Sequence, residues 1–157
     1  MTDDAAENSV PPLGVSGQYI KDLSFEVPNA PAIFSELGRG TPEIPIQIDI
    51  RASQIQDKVF EVVLQLHIEG KVGDKAAFIV ELAYAGIFTI NVAQEHLQPV
   101  LLIECPRLLF PFARNIVADI TRDGGFPPLM MQPVDFVTLY RQRMEKMAAE
   151  QQAAGHA

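Results

Sequence analysis

No tryptophan occurs in this 157-residue chain, and cysteine occurs once, at Cys105. A lone cysteine cannot close an intrachain disulfide, so no covalent staple is available to the fold and a reducing compartment is expected. Basic residues are scarce as well: 12 Lys and Arg stand against 20 Asp and Glu, a formal net charge of −8. That balance argues against nucleic acid, whose phosphates reward clustered cations, and equally against anionic lipid surfaces. A cationic partner suits it better. No apolar run approaches the roughly 18 residues that cross a bilayer, and the opening Met-Thr-Asp-Asp-Ala-Ala-Glu lacks the basic-then-apolar order of a signal peptide. A cytoplasmic protein with no membrane insertion is therefore expected. Metal-ligand spacing is missing too, because His67, His96 and His156 stand far from one another and from Cys105. Neither a metal nor another cofactor is expected.

What is present suits one compact domain. The chain is 48% hydrophobic, and at this length about two-thirds of the unfolded surface can be buried. The domain is expected over residues 15–147, between a polar tail at 1–14 and an Ala-, Gln- and Glu-rich tail at 148–157, both expected to be disordered. In the first half, apolar residues recur at every second position: Tyr19, Leu23, Phe25 and Val27, then Ile44, Ile46, Ile48 and Ile50. That period predicts strands. Phe60, Val62, Leu64, Leu66 and Ile68 alternate with Glu61, Gln65, His67 and Glu69, giving one buried face and one wet face, before a hairpin turn over Gly70 to Asp74.

The next strand is apolar on both sides: Phe78, Val80, Leu82 and Tyr84 share one face, and Ala77, Ile79, Glu81 and Ala83 the other. A second apolar face in so small a chain suggests cover by another subunit or by a ligand. Beyond Phe88 the pattern turns helical. Pro99 fits a first turn, Gly124-Gly125 ends a long helix with a kink expected near Pro111, and Pro133 opens a second helix carrying Phe136, Tyr140, Met144 and Met147 on one stripe. Four strands followed by two helices predict an α+β fold with segregated layers.

Three groups of residues could carry function. Cys105 to Arg114 sets a cysteine near two arginines, as a phosphate-cradling loop would. Yet the run is bulky and interrupted by Pro106 and Pro111 where a cradle needs glycines and free N–H groups, so packing is favoured over catalysis. A nucleophilic pair of Cys105 with His67 or His96 stays open, set against a cysteine that is simply buried. Asp22 and Glu26 lie on the strand face opposite Leu23, Phe25 and Val27, about 13 Å apart by strand rise. That separation exceeds the roughly 6.5–9.5 Å of an inverting carboxylate pair, which leaves a docking surface or a solvated face. Glu81 extends such a surface if its strand neighbours the first. Finally Ile44, Ile46 and Ile48, with Leu129-Met130-Met131 in a proline-flanked connection, are either core or an adaptable apolar binding surface.

Several ordered motifs then resemble the SecB family of bacterial protein-export chaperones. They are Tyr19-Ile-Lys-Asp-Leu-Ser-Phe-Glu-Val-Pro-Asn-Ala-Pro31, Phe60-Glu-Val-Val-Leu64, Gly86-Ile-Phe88, Cys105-Pro106 with Leu109-Phe-Pro-Phe-Ala-Arg114, and Gly125-Phe-Pro127 with Pro133-Val134 and Phe136. The resemblance runs from about Tyr19 to Met144. It implies a non-enzymatic holdase that binds unfolded precursor proteins, keeps them competent for translocation and delivers them to the SecA translocation ATPase. It also implies a four-stranded antiparallel sheet with the two C-terminal helices on one face, assembled as a dimer-of-dimers homotetramer with helices between two eight-stranded sheets. Matched residue by residue, the SecA-docking face falls on Asp22, Glu26, Ile79 and Glu81, where the family receives a basic, zinc-holding tail of the ATPase. The precursor groove is expected at Ile44, Ile46, Ile48, Leu129, Tyr140 and Met144, and the oligomer interface at Phe78, Val80, Leu82, Phe110 and Phe112. Alternatives are a chaperone of this family dedicated to one partner, such as a toxin–antitoxin pair, and a small-molecule-binding α+β domain. Departures from the family pattern are the missing tryptophan, a longer loop over Ser35 to Thr41, Ala85 in place of a second glycine, and Arg141 and Arg143 in place of apolar or aromatic residues.

Overall fold

A computed structural model describes residues 10–155 of the chain. Four strands, β1 (Leu13–Glu26), β2 (Ile46–Gln56), β3 (Val59–Val72) and β4 (Lys75–Ile90), form one antiparallel sheet in the order β1-β4-β3-β2. A short helix α1 (Ile33–Glu36) lies between β1 and β2, and three helices follow β4: α2 (Gln94–Pro99), α3 (Cys105–Asp123) and, after an irregular connection, α4 (Phe136–Ala154). The expected α+β class and antiparallel sheet are observed, with the long helices on one face.

Register follows from the period-2 pattern and from two tight turns. Lys58, with φ 61°, turns β2 into β3, and Gly73, with φ 60°, turns β3 into β4. The second turn is shorter than the Gly70–Asp74 stretch expected for it, because β3 continues to Val72. Gly70 is part of the strand: a Cβ there would stand 2.7 Å from the Phe78 ring, so only hydrogen fits.

Leu64 opposes Tyr84, Leu66 opposes Leu82 and Ile68 opposes Val80, while Leu23 and Phe25 of β1 flank Leu82 and Val80. These side chains meet α3 in a core that includes Phe88, Leu109, Val117 and Phe126. Each fully buried Ile, Leu or Phe in it contributes about 1.5–3 kcal/mol. At one end Phe25, Phe34, Phe78 and Phe126 form an aromatic cluster with ring centroids 5.0–6.4 Å apart.

The helical half differs from expectation in two places. Pro99 closes α2 instead of opening a helix. Between α2 and α3 the backbone widens into a π-helical stretch, Val100–Glu104, in which the Cys105 N–H donates to the Val100 carbonyl. Pro106 follows at once, and its missing N–H removes an ordinary helical bond at this turn. The departure from α geometry therefore lies here, and α3 runs through Pro111 without a break. Asp135 caps α4 by accepting the Thr138 N–H at 3.1 Å.

The tail boundaries also move. β1 begins at Leu13, inside the expected N-terminal tail, and residues 1–9 and 156–157 lie outside the described residues. The expected tail from Ala148 instead continues α4 to Ala154. Ala, Glu and Gln are strong helix formers and extend a helix already nucleated upstream.

Candidate functional site

The outer face of the sheet, away from the helices, collects the acidic residues. In the β1–β4 ladder Asp22 opposes Ala83, Ser24 opposes Glu81 and Glu26 opposes Ile79. Adjacent strands lie about 4.8 Å apart, so the three carboxylates and Ile79 occupy one continuous patch. Asp22, Glu26 and Glu81 are exposed and Ile79 is half-buried. Glu81 also opposes His67 of β3, whose Nδ1 stands 3.1 Å from Glu81 Oε1. An open cavity of about 450 Å³ joins Asp22 and Glu81 to Gln65, His67, Gln47 and Asp49.

Farther along the same face a second polar group spans three strands. Lys21 Nζ donates to Glu61 Oε1 at 2.8 Å and the Tyr19 hydroxyl donates to the other carboxylate oxygen. The Lys21 bond, and after it the Tyr19 bond, hold the Glu61 carboxyl below its ordinary range, and the same carboxylate pushes the Tyr19 phenol up to about 12. Tyr19 opposes Ala85 while its hydroxyl reaches β3, so its ring crosses over β4. Ala85, Ala83 and Val63 form a small buried cluster on this outer face. Part of the second apolar side of β4, at Ala83 and Ala85, is therefore buried within this chain, while Ile79 on the same side keeps free surface.

A groove of about 410 Å³ opens between edge strand β2 and α4, lined by Ile48, Ile50, Leu102, Leu139, Tyr140, Arg143 and Lys146 among others. Of the residues expected in a precursor groove, Ile48 and Tyr140 meet there. Ile46 is exposed at the start of β2, and Ile44, Leu129 and Met144 pack partly against the core outside the groove lining.

The expected interface residues separate. Phe78, Val80 and Leu82 are 5%, 0% and 3% exposed, all turned toward this chain's own helices and aromatic cluster. Phe110 is buried as well, edge-on to Phe136. These four are core, because the helical layer that covers their face comes from the same chain. Phe112 is different, being 51% exposed and stacked on Tyr84. Cys105 is fully buried in the core, and burial, with the nearby Glu104 charge, pushes its thiol up to about 12, away from the thiolate form that a nucleophile needs. Among the described residues no cluster of His, Cys, Asp and Glu could hold a metal ion, and no helix is long and apolar enough to cross a membrane.

Sequence reasoning missed His67, Lys21 and Glu61 as parts of the outer-face network. Glu61 and His67 alternate on the wet face of β3, but Lys21 shares the parity of Leu23 and Phe25, and only the register shift between Ile20 and Asp22 turns Tyr19 and Lys21 to the outer face.

A sheet covered by helices on one side, acidic and exposed on the other, with an apolar groove at one edge, defines an α+β binding protein. The sequence model of the family described as "Preprotein translocase subunit SecB" matches residues 6–147. The chain is 58% identical to the protein-export protein SecB of Paramagnetospirillum magneticum, over 96% of this chain and 98% of that protein. It is 59% identical to that of Rhodospirillum rubrum, over 91% of this chain and 88% of the relative. In fold it resembles the Mycobacterium tuberculosis SecB-like chaperone solved in complex with a ChAD peptide from the HigA1 antitoxin, with a TM-score of 0.66 at 16% identity over 78% of this chain and 90% of that one. The chain belongs to the SecB family of protein-export chaperones.

Proposed function

We propose that this chain is a cytoplasmic holdase: it binds unfolded precursor proteins along the apolar groove, keeps them translocation-competent and passes them to SecA docked on the acidic sheet face. The observation that carries this reading is the β1–β4 register, which brings Asp22, Glu26, Ile79 and Glu81 into one exposed patch. Three carboxylates around an apolar contact suit a basic partner segment, since charge steers it and Ile79 gives it a dry anchor. The groove lies at the far edge of the sheet, so client and ATPase can be held at once.

Assembly as a dimer of dimers is supported by two free surfaces. β1 is an edge strand of 14 residues with Val15, Tyr19 and Ile20 exposed, whereas at the other edge Arg143 Nη1 occupies the Ile50 carbonyl at 2.8 Å. An unprotected edge is a template for pairing, so β1 against β1 of a second copy is the natural route to an eight-stranded sheet. On α3, Leu108, Pro111 and Phe112 form an exposed apolar stripe suited to a second helical layer. Repeated grooves on such an assembly multiply weak contacts with a long unfolded chain.

The test follows from the missing tryptophan. A client's tryptophan fluorescence reports its refolding with no background from this chain. A denatured, slowly folding precursor should refold more slowly when one tetramer per client is present; refolding at an unchanged rate would rule the holdase reading out.

A further inference from the structure

Unbroken alternation along β1 cannot produce the outer face that is observed. Tyr19 points outward, where its hydroxyl reaches Glu61, while Leu23 and Phe25, an even number of residues on, oppose Leu82 and Val80 and pack on the core. A slip of one residue reverses every side chain beyond it. The reversal happens at a bulge: Ile20 opposes Tyr84 and Asp22 opposes Ala83, which leaves Lys21 as an extra residue with no cross-strand partner. Asp22 and Glu26 face outward only because the bulge comes before them. Placed two residues later, the same bulge would turn Asp22 to the helical side and Leu23 to solvent.

One carboxylate holds this bulge. Lys21, the extra residue, donates from Nζ to Glu61 Oε1 at 2.8 Å, and the Tyr19 hydroxyl donates to the other oxygen of the same group. Both side chains reach β3 from β1 by crossing β4, where Ala83 and Ala85 present only methyl groups. The Glu61 side chain is 16% exposed against 50% for Lys21, so its charge depends on these two donors. Arg51 and Arg143 line the same outer-face cavity, but Arg51 pairs with Asp49 and Arg143 donates to the Ile50 carbonyl. Tyr19 and Lys21 are thus the side chains that Glu61 holds.

We infer that Glu61 is a positioning residue for the docking face: by holding Lys21 and Tyr19 across β4 it fixes the bulge at Lys21, and the bulge turns Asp22 into the cavity that it shares with Glu81. The inference rests on the acidic face being the SecA-docking surface proposed above. Glu61 acts through β1, because its own carboxylate is already engaged by both donors. A docking acid must be held close to its productive place by a supporting network, and here that network lies on the next strand but one.

Titration calorimetry of the full chain with a zinc-loaded SecA tail peptide separates positioning from charge. Lys21→Met removes a cation next to Asp22, so charge alone would tighten the binding of a basic peptide. Loss of the bulge's anchor should instead weaken binding by about threefold, as the net worth of one hydrogen bond allows. Tyr19→Phe removes a hydroxyl and no charge, and should weaken binding by about twofold on the same grounds. Lys21→Arg, which keeps a donor for Glu61, should bind as wild type does. Amide hydrogen exchange in Lys21→Met should quicken over Ile20 to Leu23 and stay unchanged in α3. Tighter or equal binding by Lys21→Met, while Asp22→Lys still loses the peptide, would overturn the positioning role and leave the docking face in place. Faster exchange throughout the chain would reduce the effect to general destabilisation and overturn it as well. Wild-type binding that Asp22→Lys leaves intact would remove the docking face itself, and the inference with it.

Discussion

Tyr84 of β4 and Phe112 of α3 stack with ring centroids 6.3 Å apart and an interplanar angle of 16°. Tyr84 is buried and its hydroxyl donates to Gln18 on β1, so the pair links the free-edge strand, the sheet and the exposed stripe of α3. Phe112 is the one expected interface residue that keeps substantial free surface within the single chain.

Phe112→Asp should therefore act on assembly more than on the fold. A charge placed on an apolar contact surface must be desolvated on association, and the contact is lost along with it. Native mass measurement should show the tetramer shifted to a smaller species while far-ultraviolet circular dichroism stays unchanged. A tetramer of wild-type mass would place the helical interface elsewhere.

On the acidic face, Asp22→Lys and Glu81→Lys should each weaken binding of a basic SecA tail peptide by about tenfold. Reversal both removes an attraction and adds a repulsion, each worth up to roughly 1 kcal/mol at exposed sites. Holdase activity toward a denatured precursor should persist, because the groove is at the opposite edge of the sheet. Unaltered tail binding in both variants would detach SecA from this face.

Thr121 is the fully buried polar residue of the described core. Its hydroxyl donates to the Val117 carbonyl at 2.8 Å and accepts the Leu129 N–H at 2.9 Å, fastening the α3–α4 connection to α3. Thr121→Val keeps the shape but strands the Leu129 N–H, at a cost of about 1–3 kcal/mol. Urea unfolding at fixed protein concentration should register the loss, and Thr121→Ser should recover most of it. Equal stability of the Val variant would mean that Leu129 finds another acceptor.

The α4 cap should show in the pH dependence of stability. The Asp135 carboxyl is held below its usual range, first by the Thr138 N–H and then by the Thr138 hydroxyl. A carboxyl lowered by folding contributes stability that is present above its unfolded value and is lost as pH falls through the folded one. Asp135→Ala should thus lower the thermal midpoint at neutral pH, with the gap to wild type closing in acid. A gap that stays constant on acidification would mean that the cap's charge does not matter.

Alternation made the outer and inner faces of β3 legible, and it correctly put Asp22 and Glu26 opposite Leu23 and Phe25. It also put Phe78, Val80 and Leu82 on one face, but a period of two says nothing about which layer covers that face; their place at an oligomer interface came with the family resemblance, and within the chain they are core. Pro99 is ambiguous in sequence for a related reason. A proline is compatible with the start or the end of a helix, and the π-helical stretch that follows runs up to Pro106 and buries Leu101 and Leu102 in the core. The helical continuation past Ala148 was visible in propensity, but a polar composition fits a disordered tail equally well.

By itself the sequence determined the four strands, the acid-bearing strand face, the absence of an intrachain disulfide and, through its ordered motifs, the family. These are local or compositional properties, set by backbone periodicity and side-chain type. Only the tertiary structure decided that β1 lies beside β4, which gathers Asp22, Glu26, Ile79 and Glu81 into one patch, and that α4 lies along β2, where the two line an apolar groove. Strand order and helix docking come from long-range hydrogen-bond ladders and shared burial, and no spacing along the chain encodes them directly.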